Sequence, residues 1–487
     1  MNKTLYKTNL VIFGGDGDLS YRKIFPAIYH RVKENQLSKE TNIIVVSKNT
    51  SDVNSFFEEL KKHLSIHISD IDESILNQIK KMLYYLSIDL TDVEGYDSLK
   101  QVLSKNKMEQ DVFYYSTPST LFGIISKFLS ENGMINKMSK VVLEKPLGSD
   151  LESFEQLNEE VRTYFKEKQI YRIDHYLGKE TVQNLMVLRF ANQIFELAWN
   201  AQNIDNVQIT ASESLGVGNR KGYYDKFGAL KDMVQNHLLQ LLCLVAMEPP
   251  SKLNADNVRD EKLKVLKALR PMDKDTVGKS TVKGQYTRGE IEDEHVQSYQ
   301  EDIDTFDSTT ETFVALRTYV DNWRWAGVPF YLRTGKRMKR RFSEIVINFK
   351  RVPHNVFPSG NKIDRNKLII RLQPEEKIEL VQMMKIPGPG GYRYKPSSLE
   401  LDYSSSFDKR FPDAYERLLM DIIRGNQTLF MREDEVRDSW KWINSITKSW
   451  EETEQDLELY KAGTWGPGDE VLLPKHKWYQ SKKDEES

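Results

Sequence analysis

Residues 171–180 of this chain read Tyr-Arg-Ile-Asp-His-Tyr-Leu-Gly-Lys-Glu. His175 and Lys179 can donate to an anion, Tyr176 can give or take a hydrogen bond, and Asp174 is an acceptor beside them. The strand-like IYRID runs directly into a helical pattern over residues 181–195. A helix start adds unpaired amides and the positive end of a dipole, so anion capture is the chemistry this stretch suits. Taken alone, the same residues also fit an ordinary solvated helix start, and the surrounding elements must decide.

Other reactive side chains are sparser. His237 lies in the apolar stretch GALKDMVQNHLLQLLCLVAM and reads on spacing as a core histidine. Asp232 is five residues earlier, about 140° away on a regular helix, so periodicity does not bring the two together. The basic run at residues 336–341, KRMKRR, fits a phosphate-binding turn or a solvated surface. With a net charge of −2 and no aromatic interleaving, it makes a poor nucleic-acid patch. The eight histidines form no H-E-x-x-H and the single cysteine forms no cluster, so no metal site is expected. Neither a G-x-S-x-G elbow nor a P-loop is present.

The elements that must position these residues begin with a βαβ unit. Residues 9–13 form an apolar run that ends in Gly14-Gly15-Asp16-Gly17-Asp18-Leu19-Ser20. An amphipathic segment, residues 22–32, follows, and then a second apolar run, residues 42–47. Gly14, Gly17 and the small Ser20 approximate a dinucleotide fingerprint, in which the backbone approaches a pyrophosphate at a helix start. The candidate cofactor contacts are Gly14, Gly15, Gly17, Asp18, Leu19, Ser47, Lys48 and Lys145. Strands over 84–90, 111–117 and 140–144 alternate with helices over 96–105 and 121–132, which predicts a doubly wound parallel sheet. Lys145, between Glu144 and Pro146, would stand at a strand end facing the same crevice.

After residue 176 the pattern changes. A strand over 207–211 ends near Glu213, a Gly-rich turn follows, and a helix is expected over 229–247. Strands are expected over 282–286, 312–319, 330–333, 344–349, 367–372 and 377–382, and closing helices over 410–424 and 433–453. The fold class is therefore α/β plus α+β. Residues 1–175 make a Rossmann-like dinucleotide-binding domain. Residues 176–487 make a substrate-binding domain whose mainly antiparallel sheet has a face that a second copy could cover, giving a homodimer or higher homo-oligomer. At 487 residues, 39% hydrophobic and 29% charged, the chain is globular and multi-domain. Cys243 alone gives no disulfide framework, no signal-peptide core or 18-residue apolar run occurs, and a cytoplasmic protein is expected. Only the tail KKDEES reads as disordered.

Several longer stretches resemble one family. RIDHYLGKE (172–180), VQNLMVLRFAN (182–192), GYYDKFGALKDMVQNHLLQLLCLVAMEPP (222–250) and VPFYLRTGKRM (328–338) are similar to the signatures of the glucose-6-phosphate 1-dehydrogenase family. So are GDLSYRKIFPAIY (17–29), NKLIIRLQPEE (366–376), AYERLLMDIIRGNQTLFMR (414–432) and AGTWGP (462–467), which carry the likeness over nearly the whole chain. The resemblance implies oxidation of β-D-glucose 6-phosphate at C1 to the 6-phospholactone, the first oxidative step of the pentose phosphate pathway, with NADP as acceptor. It implies His237 as general base and Asp174 as the carboxylate that orients it. His175, Tyr176 and Lys179 match the family's 6-phosphate grip. Lys145, Glu213, Asp232, Lys336 and Arg341 match substrate contacts, and Lys23 a lysine beside the site. The family commonly has Ser or Thr at Asp16 and Arg at Asn49, positions that face the adenosine 2′-phosphate, which opens NAD or dual use. Tyr21, Ser119 and Leu197 also depart from the family pattern. Two alternatives remain: a related NAD(P)-dependent sugar oxidoreductase, which need not keep the phosphate grip, and a catalytically weak nucleotide-binding paralogue, which would be expected to lose His237.

Overall fold

The glycine turn closes a strand that is buried on both faces. In a computed structural model, which describes residues 5–357, 363–389, 391–402 and 410–481, the chain forms two compact units. The first comprises Met1–Lys179, Pro250–Arg259 and Pro412–Arg437; the second comprises Glu180–Pro249, Asp260–Phe411 and Asp438–Ser487. The sequence reading cuts the chain once, at 175/176. The two returning segments are the difference, and long-range contacts rather than local pattern put them there. The tail KKDEES lies outside the described residues.

In the first unit, β1 (Thr8–Phe13), β2 (Asn42–Ser47), β3 (Leu83–Ser87), β4 (Gln110–Tyr115), β5 (Lys140–Leu143) and β6 (Ile170–Ile173) pair in parallel in the order β6-β5-β4-β1-β2-β3. A short returning strand, Phe430–Met431, adds antiparallel to β6. Every residue of β1 and β2 is buried, as a sheet covered on both faces requires. Strand order reverses between β1 and β4, and this switch point is where such sheets bind ligands.

The returning helix Ala414–Arg424 is fixed at three places. Asp413 caps its start and Glu416 completes a capping box, which is why it begins at 414 rather than the expected 410. Glu416 pairs with Arg31 of helix Phe25–Lys33 at 2.5 Å, both side chains being almost fully buried. Lys140 Nζ donates to the last carbonyls, Ile422 O at 2.6 Å and Ile423 O at 3.0 Å. A cation on a helix C-terminus satisfies orphan acceptors and meets the negative end of the dipole.

The second unit holds a nine-stranded sheet. Its order is Tyr394–Asp402, Lys377–Lys385, Lys367–Gln373, Phe342–Phe349, β7 (Ile204–Ser212), Pro329–Gly335, Phe313–Tyr319, β8 (Thr281–Thr287) and Leu457–Lys461. All pairs are antiparallel except β7 with Pro329–Gly335 and β8 with Leu457–Lys461. Three expected helices take different forms. The pattern over 181–195 splits into Glu180–Phe190 and Gln193–Ala198, because the Asn192 amide donates to Val187 O and Leu188 O, carbonyls that a continuing helix would use. The expected helix over 229–247 is a π-helix from Leu230 to Leu238, continuing as α-helix over Leu239–Ala246. Likewise the segment expected over 22–32 is π-helical over Ser20–Ile24 before becoming α-helical. Helices Val53–His67, Glu73–Met82, Leu151–Arg162 and Ala255–Lys267 and the outer strand Tyr394–Asp402 have no counterpart in the sequence reading. No described helix is long and apolar enough to cross a membrane.

Removing one partner of a buried ion pair leaves the other charge uncompensated. Glu416→Ala is therefore expected to cost about 3 kcal/mol of stability, read as a lowered denaturant midpoint. An unchanged midpoint would show that the pair does not fix the helix.

Candidate active site

The first unit carries one group of candidate residues. Gly14 turns the chain after β1 with φ +71°, and a side chain there would meet Ser116 O at 2.5 Å. Gly14 N donates to Val46 O and Gly17 N to Gly14 O, while Ser20 Oγ bonds Gly14 O and Ser116 Oγ, each at 3.1 Å. The turn thus packs against the ends of β2 and β4 at the switch point, and the residues present fit a dinucleotide. Asp18 is exposed and pairs with Arg22, Leu19 starts the helix, and Lys48 and Asn49 are exposed just beyond β2. Asp16 Oδ2 accepts from Ser47 Oγ and from Asn49 Nδ2, both at 2.6 Å.

Asp174 ends β6 and caps a separate 3₁₀ turn, His175–Gly178, by accepting from Tyr176 N at 2.9 Å. These residues do not stand on the N-terminus of the long helix, as the sequence reading has it: that helix begins at Glu180, and Thr181 N goes to Glu376. Asp174 and Tyr176 are buried, His175 and Lys179 half-buried, and Lys179 Nζ lies 5.1 Å from the Tyr176 ring centre. Gly178 permits the close approach of helix Ala414–Arg424, since a Cβ would meet Ala414 O at 2.7 Å. Lys23, in the first π-helical turn, pairs with Asp413 at 2.9 Å. Lys145 follows β5 and is half-buried.

The second unit carries the other group. Glu213, just past β7, bonds Lys336 Nζ at 2.7 Å, and that ammonium also lies 4.9 Å from the ring centre of buried Tyr224. Asp232 and His237 both sit on the π-helix and are buried. On an i→i+5 helix, five residues overshoot a full turn by only about 50°. A regular α-helix would separate Asp232 from His237; π winding instead turns them towards one face. Tyr223 hydrogen-bonds Asp232, and burial, reinforced by that carboxylate, pushes the Tyr223 hydroxyl well up. Of the basic run, Arg337 faces Asp302 at 3.7 Å, Met338 is fully buried and Arg341 is exposed.

The π-helix is set by Gly228 and Glu311. Gly228 has φ 65° and ψ 178°, a conformation essentially confined to glycine. Glu311 accepts from Leu230 N through its side chain and from Ala229 N through its carbonyl, at 3.0 Å each. Glu311 was missed by the sequence reading, as were Tyr114, Asp413 and Tyr415. A glycine immediately before an apolar helix was the signal for the first; nothing local marked the others. Tyr21, which departs from the family pattern, stacks on His63 at 4.2 Å and on Phe56 at 5.9 Å, so it seats helix Val53–His67. Ser119 opens a 3₁₀ turn and Leu197 is exposed; nothing in the structure explains either departure.

Two family models cover the chain: the glucose-6-phosphate dehydrogenase NAD-binding domain over residues 11–184 and its C-terminal domain over 186–480. The chain belongs to the glucose-6-phosphate dehydrogenase family. A glucose-6-phosphate 1-dehydrogenase from Rhizobium meliloti is 49% identical, with 95% of each chain covered. One from Mycolicibacterium smegmatis is also 49% identical, over 96% of this chain and 95% of that protein. Among solved structures, a glucose-6-phosphate dehydrogenase in complex with its substrate matches with TM-score 0.90 at 35% identity, covering 98% of this chain and all (100%) of that one. The enzyme from Mycobacterium avium matches at 0.85 and 32%, over 98% and 99% of the two chains. As a member of this family the chain is an oxidoreductase acting on CH–OH groups, built from a dinucleotide-binding domain and a mainly antiparallel second domain.

A Cβ at residue 228 would lie 2.3 Å from Glu311 Oε1. Gly228→Ala should therefore displace the cap and, with it, the register of Asp232 and His237. We expect kcat to fall at least about tenfold and stability by ~2 kcal/mol; wild-type kcat and melting temperature would show the kink to be dispensable.

Proposed function

We propose that the chain oxidises β-D-glucose 6-phosphate at C1 to 6-phospho-D-glucono-1,5-lactone. The observation that carries this is the full-length likeness to glucose-6-phosphate 1-dehydrogenases at 49% identity. A nicotinamide dinucleotide, when bound, supplies the hydride acceptor. His237 takes the proton from the C1 hydroxyl, and Asp174 holds the imidazole in the required tautomer and stabilises its charged form. His175, Tyr176 and Lys179 grip the 6-phosphate, where fixed cations and donors are worth most. Glu213 and Asp232 accept from sugar hydroxyls, while Lys145, Lys336, Arg341 and Lys23 supply positive charge around a dianionic substrate.

NADP is the acceptor that the resemblance implies, and Asp16 bears on that choice. Its carboxylate stands at the end of β2, held by Ser47 and Asn49. In a Rossmann unit the acid that accepts from a free ribose 2′-hydroxyl usually stands about 20 residues beyond the glycine turn; Asp16 lies in the turn itself and reaches the end of β2 from there, where it could accept from the same hydroxyl. A 2′-phosphate there meets a like charge, and Asn49 offers no guanidinium fork. NAD is therefore accepted as well as NADP.

A second copy of the chain covers the outer strands Lys377–Lys385 and Tyr394–Asp402, on which Met384, Leu399 and Leu401 are exposed. The proposed assembly is a homodimer or higher homo-oligomer, and the proposed compartment is the cytoplasm, in keeping with a single, buried cysteine.

His237→Asn should lower kcat by ~10²–10⁴ with little change in KM, as loss of a general base does; an unchanged kcat removes His237 from that role. Separately, Asp16→Ser should raise the NADP-to-NAD ratio of kcat/KM at least about tenfold, the effect of roughly 1.4 kcal/mol. A native preference for NADP above about a hundredfold would contradict the reading of Asp16.

A further inference from the structure

Glu144 follows β5 and immediately precedes Lys145, yet its own carboxylate is buried and has no part in the proposed chemistry. Tyr114, on neighbouring β4, donates to Glu144 Oε1 at 2.6 Å. The Tyr415 hydroxyl and the Lys145 backbone amide donate to the same carboxylate. Tyr415 belongs to the returning helix Ala414–Arg424, and its ring lies nearly parallel to that of His175, 18° apart with centroids at 6.3 Å. The residue before it in the helix, Ala414, backs onto Gly178, and Asp413 holds Lys23. One buried acid thus ties two strands and a distant helix together directly behind Lys145 and His175.

We propose that Glu144 is a positioning residue of the reaction: as a carboxylate it holds the Tyr114 and Tyr415 hydroxyls, and so sets Lys145 and the His175 side of the phosphate grip. This rests on the function proposed above. Three donors converge on the acid; ionised, it only accepts, whereas protonated it carries a donor of its own on one oxygen. Burial pushes Glu144 up to about 7, against the opposing pull of Tyr114, Lys145 and Tyr415. Those are the groups that face it from β4, from its own strand end and from the returning helix; Asp413 and Asp174 act in turn on the Tyr415 hydroxyl. Because the acid's pKa is raised, it is protonated below neutrality. Its own proton then competes with the incoming donors, and the charge that strengthens their hydrogen bonds is gone. The assembly is complete above about pH 7 and loosens below it.

The test is the pH profile of kcat/KM for glucose 6-phosphate, measured on the full-length wild type, Glu144→Gln and Tyr415→Phe. Glu144→Gln mimics the protonated acid. Its expected deficit is about tenfold near pH 8.5 and shrinks to within about twofold near pH 6, where wild type is itself protonated. Tyr415→Phe keeps the ring beside His175 but removes a donor to the carboxylate. It should raise KM for the sugar phosphate several-fold and move the acidic limb to higher pH. A deficit in Glu144→Gln that is the same at every pH, or no deficit at all, overturns the proposal. If that variant does not fold, an unmoved acidic limb in Tyr415→Phe overturns it. Wild type that fails to turn over glucose 6-phosphate would sink the proposed function itself, whereas an active wild type with a flat ratio sinks only the role of Glu144.

Discussion

The buried pair between Arg31 and Glu416 joins residues 385 positions apart, and the helix it seats backs the first unit's candidates around His175. Neither charge would tolerate burial alone. Together, with Lys140 on the last carbonyls, they seat helix Ala414–Arg424 against the Rossmann sheet. That helix presents Asp413 to Lys23, Ala414 to Gly178, and Tyr415 to Glu144 and His175. The 3₁₀ turn carrying His175 and Tyr176 is short and has little rigidity of its own. It is held from behind by an element encoded more than two hundred residues later, and this explains why the dinucleotide unit is discontinuous in sequence.

In the second unit, backbone strain does the equivalent work. Gly228 bends the chain so that Glu311 can cap the next helix, and the helix that starts there is π-wound through Asp232 and His237. The π-helix is rare and is found frequently at functional sites. Here the register brings a carboxylate and an imidazole to one face that 3.6-residue winding would set about 140° apart. The Glu213–Lys336 pair, with Tyr224 beside the ammonium, joins three otherwise separate elements.

The parallel strands of the first unit, the glycine turn and the helix Tyr96–Lys105 were legible in the sequence because local periodicity and turn residues determine them, whereas the edge strands Tyr394–Asp402 and Leu457–Lys461 were not. The helices Val53–His67 and Leu151–Arg162 were missed, although each has an aspartate cap, Asp52 and Asp150, just before it. Long-range features left no local trace: nothing near Glu144 marks Tyr415 as its partner. The π-helix was hidden for a different reason. An apolar stripe of twenty residues reads as α-helix by default, and only the positive φ at Gly228 and the buried cap from Glu311 reveal otherwise. Residue type and clustering single out 174–179 as an anion-binding stretch, whereas His237 reads on spacing as a core histidine and gains a role only through the family resemblance.

In the proposed function, the residues from Asp174 to Lys179 commit the enzyme to a phosphorylated sugar. The most direct measurement is reduced-cofactor absorbance, with either dinucleotide, on glucose 6-phosphate and on unphosphorylated glucose in parallel. With that grip in place, kcat/KM for the phosphorylated sugar should exceed that for glucose by at least about a thousandfold, the worth of several charge-assisted contacts to one dianion. Comparable values for the two sugars would contradict it.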